Sequence, residues 1–101
     1  MHKLTVVYAS AQDAKAFEAY YTATHLPLAR KLPGLKRLNY SFNLQPVEGG
    51  APPFCLFEAW FDDGAAMGAA MQSPEGQAVA ADVRNFADAQ PTIFHGPVTE
   101  V

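Results

Sequence analysis

The chain has 101 residues, of which 50% are hydrophobic and 12% are aromatic, enough to build the core of a single domain over residues 1–101. The formal net charge is −3 and there is no basic run, which argues against nucleic acid as a partner. A membrane span needs roughly 20 apolar residues and the apolar runs here are far shorter, so no membrane association is expected. The start of the sequence lacks the features of a signal peptide, which predicts a cytoplasmic protein.

The first third of the chain predicts a strand followed by a helix. The strand covers Lys3–Ala9, and Asp13 is a suitable N-cap for the helix. The buried face of the helix is predicted from side chains three and four positions apart, namely Ala14, Phe17, Tyr21, Thr24 and Leu28, with Tyr20 beside them.

Pro27 is expected to interrupt this helix. Proline lacks an N–H and clashes with the carbonyl one turn back, and it disfavours helical geometry in the preceding residue, here Leu26. We therefore expect the helix to end or kink near Thr24 or His25, with Leu26 pointing away from the buried face and a second helical piece starting at Pro27. The break would leave the imidazole of His25 where helical backbone groups are unpaired.

The rest of the chain alternates further strands and helices. The predicted elements are strands over Leu35–Leu44, Phe54–Phe61 and Pro91–Val101, a Gly- and Pro-rich loop over Gln45–Pro53, and a helix over Ala65–Gln72 that restarts at Ser73. The complete order, β-α-β-β-α-β, predicts an α+β fold. It fits a ferredoxin-like sandwich, in which a four-stranded antiparallel sheet carries helices on one face.

The third predicted strand needs cover on both of its faces. Its apolar residues divide between the two faces, with Phe54, Leu56 and Trp60 on one and Cys55, Phe57, Ala59 and Phe61 on the other. Two helices cover only one face of the sheet, so the second face would be an exposed apolar patch. A homodimer packed sheet to sheet is the favoured prediction. The alternative is a C-terminal segment that folds back over the open face.

Several short motifs occur together along the chain. They are the aromatic residues Phe17, Tyr20 and Tyr21, the segment His25-Leu26-Pro27-Leu28-Ala29 running to Pro33-Gly34, the segment Glu58-Ala59-Trp60-Phe61-Asp62, the segment Ser73-Pro74-Glu75-Gly76, and Phe86. In this arrangement the chain resembles the EthD family of the dimeric α+β barrel superfamily over nearly its whole length. The resemblance implies a ferredoxin-like protomer, a homodimer, and a pocket between sheet and helices in each subunit.

The resemblance also implies a range of activities. The family is generally labelled with oxidoreductase activity, fungal relatives act as dehydratases or cyclases on polyketides, and other dimeric barrels are cofactor-independent monooxygenases of aromatic compounds. A small hydrophobic, aromatic or polyketide-like ligand is therefore expected. No cofactor is expected, because no cofactor motif accompanies the resemblance. The alternative is a non-catalytic ligand-binding protein or an accessory protein to an oxidising system.

His25 is the first candidate catalytic residue, since an imidazole can exchange a proton near neutral pH. A histidine at a helix end can instead bond a free carbonyl, and the resemblance favours the pocket role. Glu58 is the second candidate, because a carboxylate in an apolar strand must be paired, exposed or functional. Arg37 is a possible partner for it, and Glu58 or Tyr21 would orient His25 in the catalytic reading.

Further residues are predicted to line the substrate pocket: Tyr40, Trp60, Tyr20 and Leu28. Ordinary packing is the alternative for each aromatic ring. A metal site formed by His25, His95 and Glu58 is not expected, because these residues lack the close ligand pairs of typical zinc sites.

Overall fold

The structure, a computed structural model, describes residues 1–101. The strands are β1 (His2–Tyr8), β2 (Arg37–Ser41), β3 (Cys55–Phe61) and β4 (Thr92–Pro97). The helices are α1 (Ala14–Tyr20), α2 (Leu26–Ala29), α3 (Gly64–Gln72) and α4 (Pro74–Asp82), with a π-helical turn at Tyr21–His25 and a 3₁₀ turn at Val83–Asn85. None of the helices is long and apolar enough to cross a membrane.

The four strands form one antiparallel sheet in the order β2-β3-β1-β4. The fold is therefore α+β and ferredoxin-like, which confirms the predicted class. β4 lies at an edge of the sheet and ends at Pro97, a position where a missing backbone donor is tolerated. β2 is shorter than predicted, because Asn43 adopts a left-handed conformation with φ of 56° and the chain leaves the sheet before it.

The two faces of the sheet are unequally covered. On β3, the residues facing the helices are all buried, namely Cys55, Phe57, Ala59 and Phe61. The alternate residues Leu56, Glu58 and Trp60 are only half-buried and lie on the face without helices, which we call the open face. This division agrees with the predicted alternation, and it leaves the open face partly accessible.

The interrupted helix differs from its prediction at Leu26. This residue keeps helical backbone angles, with φ of −61° and ψ of −41°, and its side chain is buried, whereas Thr24 is exposed. The reason is the π-helical turn, in which the Leu26 N–H donates to the Tyr21 carbonyl five residues earlier. The wider turn accommodates Pro27 without ending the helix, and its extra residue rotates the buried face from Thr24 to His25 and Leu26.

Aromatic packing fixes α1 and the π-helical turn on the sheet. Phe17 is 2% exposed, and the centroid of its ring lies 5.0–6.1 Å from five other aromatic rings, those of Tyr8, Tyr21, Phe42, Phe54 and Phe86. Most of these pairs are edge-to-face, the geometry that aromatic quadrupoles favour. Tyr21 continues the same cluster toward His25, so this packing sets the position of the imidazole.

The junction between α3 and α4 is also tightly packed. Ser73 caps α4 by accepting a hydrogen bond from the Gly76 N–H at 3.1 Å. A Cβ added at Gly76 would lie 2.2 Å from the Ala70 carbonyl oxygen, so only glycine fits where the two helices meet. The close junction turns α4 back so that it packs against both α3 and α2, and α4 ends at Asp82.

Candidate functional site

A small, partly open cavity lies between the sheet and the helices. Its volume is about 60 Å³, and ten of its eleven lining residues are hydrophobic. The sheet contributes Leu4, Val6, Tyr8, Phe57 and Ile93, and the helical side contributes Leu32, Met71, Val79, Ala80 and Val83. His25 is the remaining lining residue, so a single imidazole faces an otherwise apolar space.

His25 belongs to a hydrogen-bonded network centred on Asp82. The Nδ1 atom of His25 lies 2.9 Å from Asp82 Oδ2, and both side chains are buried. The Tyr20 hydroxyl donates to Asp82 Oδ1 at 2.6 Å, and the Asn85 side-chain amide donates to the same oxygen at 3.0 Å. The carboxylate is thus held by three side chains, and it fixes the orientation of the imidazole.

The electrostatics of this pair determine where the proton lies. Burial acts to raise the pKa of Asp82, but hydrogen bonds from Tyr20, Asn85 and His25 outweigh it and hold the pKa below the ordinary value of 3.8. Burial lowers the pKa of His25 below 6.5 despite the opposing effect of Asp82. At neutral pH an ionised Asp82 therefore accepts from the Nδ1–H of a neutral His25, and Nε2 carries a free lone pair.

Two tyrosines accompany the imidazole. Tyr8 lines the cavity, and burial, with smaller effects of Cys55 and Asp82, raises its pKa, so its hydroxyl keeps the proton and can donate. Tyr21 stacks on His25 with 5.3 Å between ring centroids. Burial raises the pKa of Tyr21 as well, and its hydroxyl is fully buried beside the Cys55 thiol. Tyr21 therefore contacts His25 through its ring, while Asp82 orients the imidazole.

Two of the predicted site residues, Glu58 and Trp60, lie on the face of the sheet opposite to the cavity. Glu58 is on the open face, where it forms a salt bridge with Lys3 at 2.9 Å, and the sheet separates it from His25. The expectation that Glu58 orients His25 is therefore corrected: the residue is ion-paired, with Lys3 in place of Arg37. Trp60 is also on the open face, so the expectation that it lines the pocket is corrected, and Arg37 lies over its ring, 5.0 Å from the centroid.

The other predicted residues lie near the cavity without lining it. Tyr20 reaches the network through its hydroxyl. Tyr40 is 41% exposed and packs edge-on against Tyr21, and Leu28 is partly buried against the core. His95 lies in an exposed position on β4 with 2.8 Å between its ring nitrogen and that of His2, and it makes none of the hydrogen bonds of the network. No group of three side chains is placed to hold a metal ion.

Sequence reasoning missed Asp82 and the cavity position of Tyr8. Asp82 follows Val79 by three positions and precedes Phe86 by four, so it lies on the apolar stripe of α4 and its extension. A carboxylate on such a stripe must be paired when buried, which was an available signal. Tyr8 carries no comparable signal, because an aromatic residue in a strand is usually core.

The buried neutral imidazole should make stability depend on pH. As pH falls through 6.5, His25 becomes protonated in the unfolded chain, whereas in the folded chain it stays neutral to a lower pH. The free energy of unfolding should therefore fall as pH falls through 6.5. One proton contributes at most about 1.4 kcal/mol per pH unit. Urea unfolding over roughly pH 5–8, the range in which an ordinary histidine titrates, should show this slope in the wild-type chain. The slope should be smaller in His25→Asn, and identical profiles for the two chains would count against the buried neutral state.

Comparisons with known proteins bear on the family and the fold of the chain. The profile of the family described as "EthD domain" matches residues 9–90. An uncharacterised 11.0 kDa protein from the thcB-thcC intergenic region of Rhodococcus erythropolis is 36% identical over 95 residues, covering 93% of this chain and 91% of that protein. An ethyl tert-butyl ether degradation (EthD) family protein from Bacillus halodurans has a crystal structure with a TM-score of 0.90 at 31% identity, covering 98% of this chain and 99% of the other.

More distant solved structures share the fold alone. An EthD-like protein from Ralstonia eutropha has a TM-score of 0.74 at 24% identity, covering 94% of this chain and 88% of the other. A dimeric ferredoxin-like protein of unknown function from Thermobifida fusca has a TM-score of 0.69 at 12% identity, covering 96% of this chain and 89% of the other. The fold is thus shared well beyond recognisable sequence similarity.

Proposed function

The chain belongs to the EthD domain family, and from this premise we propose that it binds a small hydrophobic molecule in the His25 cavity and transfers a proton to or from it. The observation that carries the proposal is the His25–Asp82 pair at the wall of an apolar cavity, with 2.9 Å between Nδ1 and Oδ2. A buried base oriented by a carboxylate is an arrangement suited to general acid–base catalysis. No other polar network reaches this cavity.

The chemistry follows from the protonation states. The Nε2 lone pair of neutral His25 takes a proton from an acidic C–H of the ligand, and the electron pair of that bond moves onto a neighbouring carbonyl oxygen. Asp82 stabilises the imidazolium that forms, and the Tyr8 hydroxyl donates a hydrogen bond to the developing oxyanion. The same imidazolium returns a proton in the second half of the reaction. Dehydration, cyclisation and oxidation all include such a step, and oxidation would additionally require an electron acceptor.

A non-catalytic function is the second candidate. The lining of the cavity is hydrophobic in ten of eleven residues, which suits retention of an apolar molecule without conversion. In that case the protein would be a carrier or an accessory to an oxidising system. The two candidates differ in whether a bound ligand exchanges hydrogen with solvent.

The proposal can be tested with 2-octanone, whose acetyl head is small enough for the cavity. Titration into isotope-labelled protein should shift the NMR signals of Val6 and Val79, which line the cavity, while Leu56 and Trp60 on the open face serve as internal controls. Incubation in D₂O should then place deuterium next to the carbonyl. Signal shifts without deuterium would favour the binding protein, and absence of both would contradict the proposal.

The open face supports a homodimer as part of the proposal. Val7, Leu56 and Trp60 are half-buried there and Phe94 is 52% exposed, so apolar side chains from three strands lie on a face that no helix covers. A contiguous apolar patch on a sheet is a common dimer interface, and the Thermobifida fusca protein with this fold is dimeric. Two open faces packed together would bury these side chains.

Leu56→Arg should convert a dimer to monomer. The substitution places a charge in the middle of the proposed interface, where burial without a partner is costly. Light scattering during size-exclusion chromatography should give a dimer mass for the wild-type chain and a monomer mass for the variant. Ala81→Arg on the exposed surface of α4 is the matched control and should remain dimeric. A monomeric wild-type chain would exclude the interface.

A further inference from the structure

An outer groove lies next to the His25 cavity. Its volume is about 450 Å³, and it shares Ala80, Val83 and Ile93 with the 60 Å³ cavity. These three residues lie at the boundary between the end of α4 and β4, where Ala80 and Ile93 are exposed. The boundary is thus a short wall of three apolar side chains between the cavity and the surface.

The two volumes restrict how a ligand can be bound. Ligand pockets for molecules of ordinary metabolite size are typically about 300–1,000 Å³. The inner cavity of about 60 Å³ is well below this range, whereas the outer groove of about 450 Å³ lies within it. A ligand that reaches His25 must therefore place a small group in the cavity and extend past Val83 into the groove.

The polar residues of the groove indicate what the outer part of the ligand carries. Arg84 follows Val83 directly, is exposed, and forms none of the salt bridges in the chain. Asp88 also lines the groove, but its Oδ2 accepts a hydrogen bond from the Gln12 N–H at 2.6 Å. Gln90 adds an amide. An unpaired guanidinium is suited to bind a carboxylate, with two parallel N–H donors.

We propose that the ligand enters between α4 and β4 past Ala80, Val83 and Ile93, and that it is an elongated molecule with a small head that carries the carbonyl and a carboxylate tail bound by Arg84. The inference rests on the proposed function, since it assumes that the head is the part that meets His25. It adds the route of entry and the chemical class of the ligand. The head would fill the cavity, and the chain behind it would cross the apolar wall.

Binding of 7-oxooctanoate and of its neutral analogue 7-oxooctanamide tests the role of Arg84 and, with the variants below, the route of entry. Both compounds carry the same acetyl head, and only the first carries a charge. Calorimetry should show the carboxylate binding about tenfold more tightly to the wild-type chain, the low end for a charged hydrogen bond because Arg84 is exposed. Arg84→Gln should remove this preference, and Arg84→Lys should retain part of it.

Two further variants test the route. Ala80→Phe should block the wall and weaken both compounds about tenfold, a loss of about 1.4 kcal/mol. Ala81→Phe lies one residue further along the exposed surface of α4, lines neither space, and should bind both as the wild-type chain does. Both positions are exposed or at the rim, so neither substitution should prevent folding.

The possible outcomes separate this inference from the proposed function. A preference for the carboxylate that persists in Arg84→Gln would overturn the role of Arg84. Normal binding in Ala80→Phe would overturn the route. In either case, shifts of the His25 ring signals on addition of 7-oxooctanamide would leave the proposed function standing. If neither compound moves those signals in the wild-type chain, the proposed function fails and the inference fails with it.

Discussion

Replacing His25 with Asn is expected to slow exchange of the hydrogens next to the carbonyl of 2-octanone with solvent deuterium by about 10²–10⁴-fold, the usual contribution of a general base. The amide nitrogen of Asn lies close to the position of Nδ1, so the variant can still donate to Asp82. It lacks any atom equivalent to Nε2, which is the proposed base. The substitution therefore removes the lone pair while retaining the buried hydrogen bond. Exchange is measured by NMR as loss of the methyl and methylene signals in D₂O.

Tyr20→Phe is the matched control for this experiment. It removes one of the three hydrogen bonds to Asp82 but leaves the imidazole and its Nδ1 contact in place. We expect exchange to slow much less than in His25→Asn, because the imidazole and two of the three hydrogen bonds to the ionised Asp82 carboxylate remain. Exchange by His25→Asn at the wild-type rate would contradict a role for the imidazole in proton transfer.

Replacing Phe17 with Ala is expected to lower the free energy of unfolding by about 3–5 kcal/mol, as for other fully buried phenylalanines. The ring is 2% exposed and lies between five aromatic side chains from both layers of the fold. Its removal leaves a cavity between α1 and the sheet, because the surrounding aromatic rings are too rigid to fill the space without a shift of the backbone. Because Tyr21 and Phe86 contact both Phe17 and His25, the variant should also disturb the His25 ring signals.

Urea unfolding at one fixed chain concentration measures this effect, since the stability of a dimer depends on concentration. Phe17→Leu keeps most of the apolar volume and should lose less than about 1.5 kcal/mol. Val47→Ala, at a residue that is 99% exposed, should stay within about 0.5 kcal/mol of the wild-type chain. A loss for Phe17→Ala no larger than that for Val47→Ala would show that the aromatic cluster does not hold α1 in place.

The order of elements could be predicted because local signals agreed with tertiary structure. Alternation of apolar and polar residues located β2, a nearly continuous apolar run located β3, and side-chain capping located the starts of α1 and α4 at Asp13 and Ser73. The two faces of β3 were also assigned correctly, since the period of a strand leaves no freedom in which face a residue takes. These features depend on neighbours in sequence.

The candidate site could be predicted only in part. The rule for residues before proline failed at Leu26, because a π-helical turn absorbs Pro27 while keeping the helix intact. Glu58 and His25 could not be assigned to opposite faces of the sheet until the helices were placed on one of them. The contact between His25 and Asp82 joins residues 57 apart in sequence, and it depends on the close junction of α3 and α4 at Gly76, which lets α4 pack against α2.

The central claim is that His25 is held neutral, with its proton on Nδ1 and a free Nε2 in the cavity. Long-range ¹H–¹⁵N correlation spectra of histidine-labelled protein at neutral pH report the proton position directly, and His25→Asn assigns the signals among the three histidines. We expect a neutral ring with Nδ1 protonated and Nε2 bare, and a shift of the Nε2 signal when 2-octanone is added. A ring protonated on Nε2, or an imidazolium at neutral pH, would contradict the account.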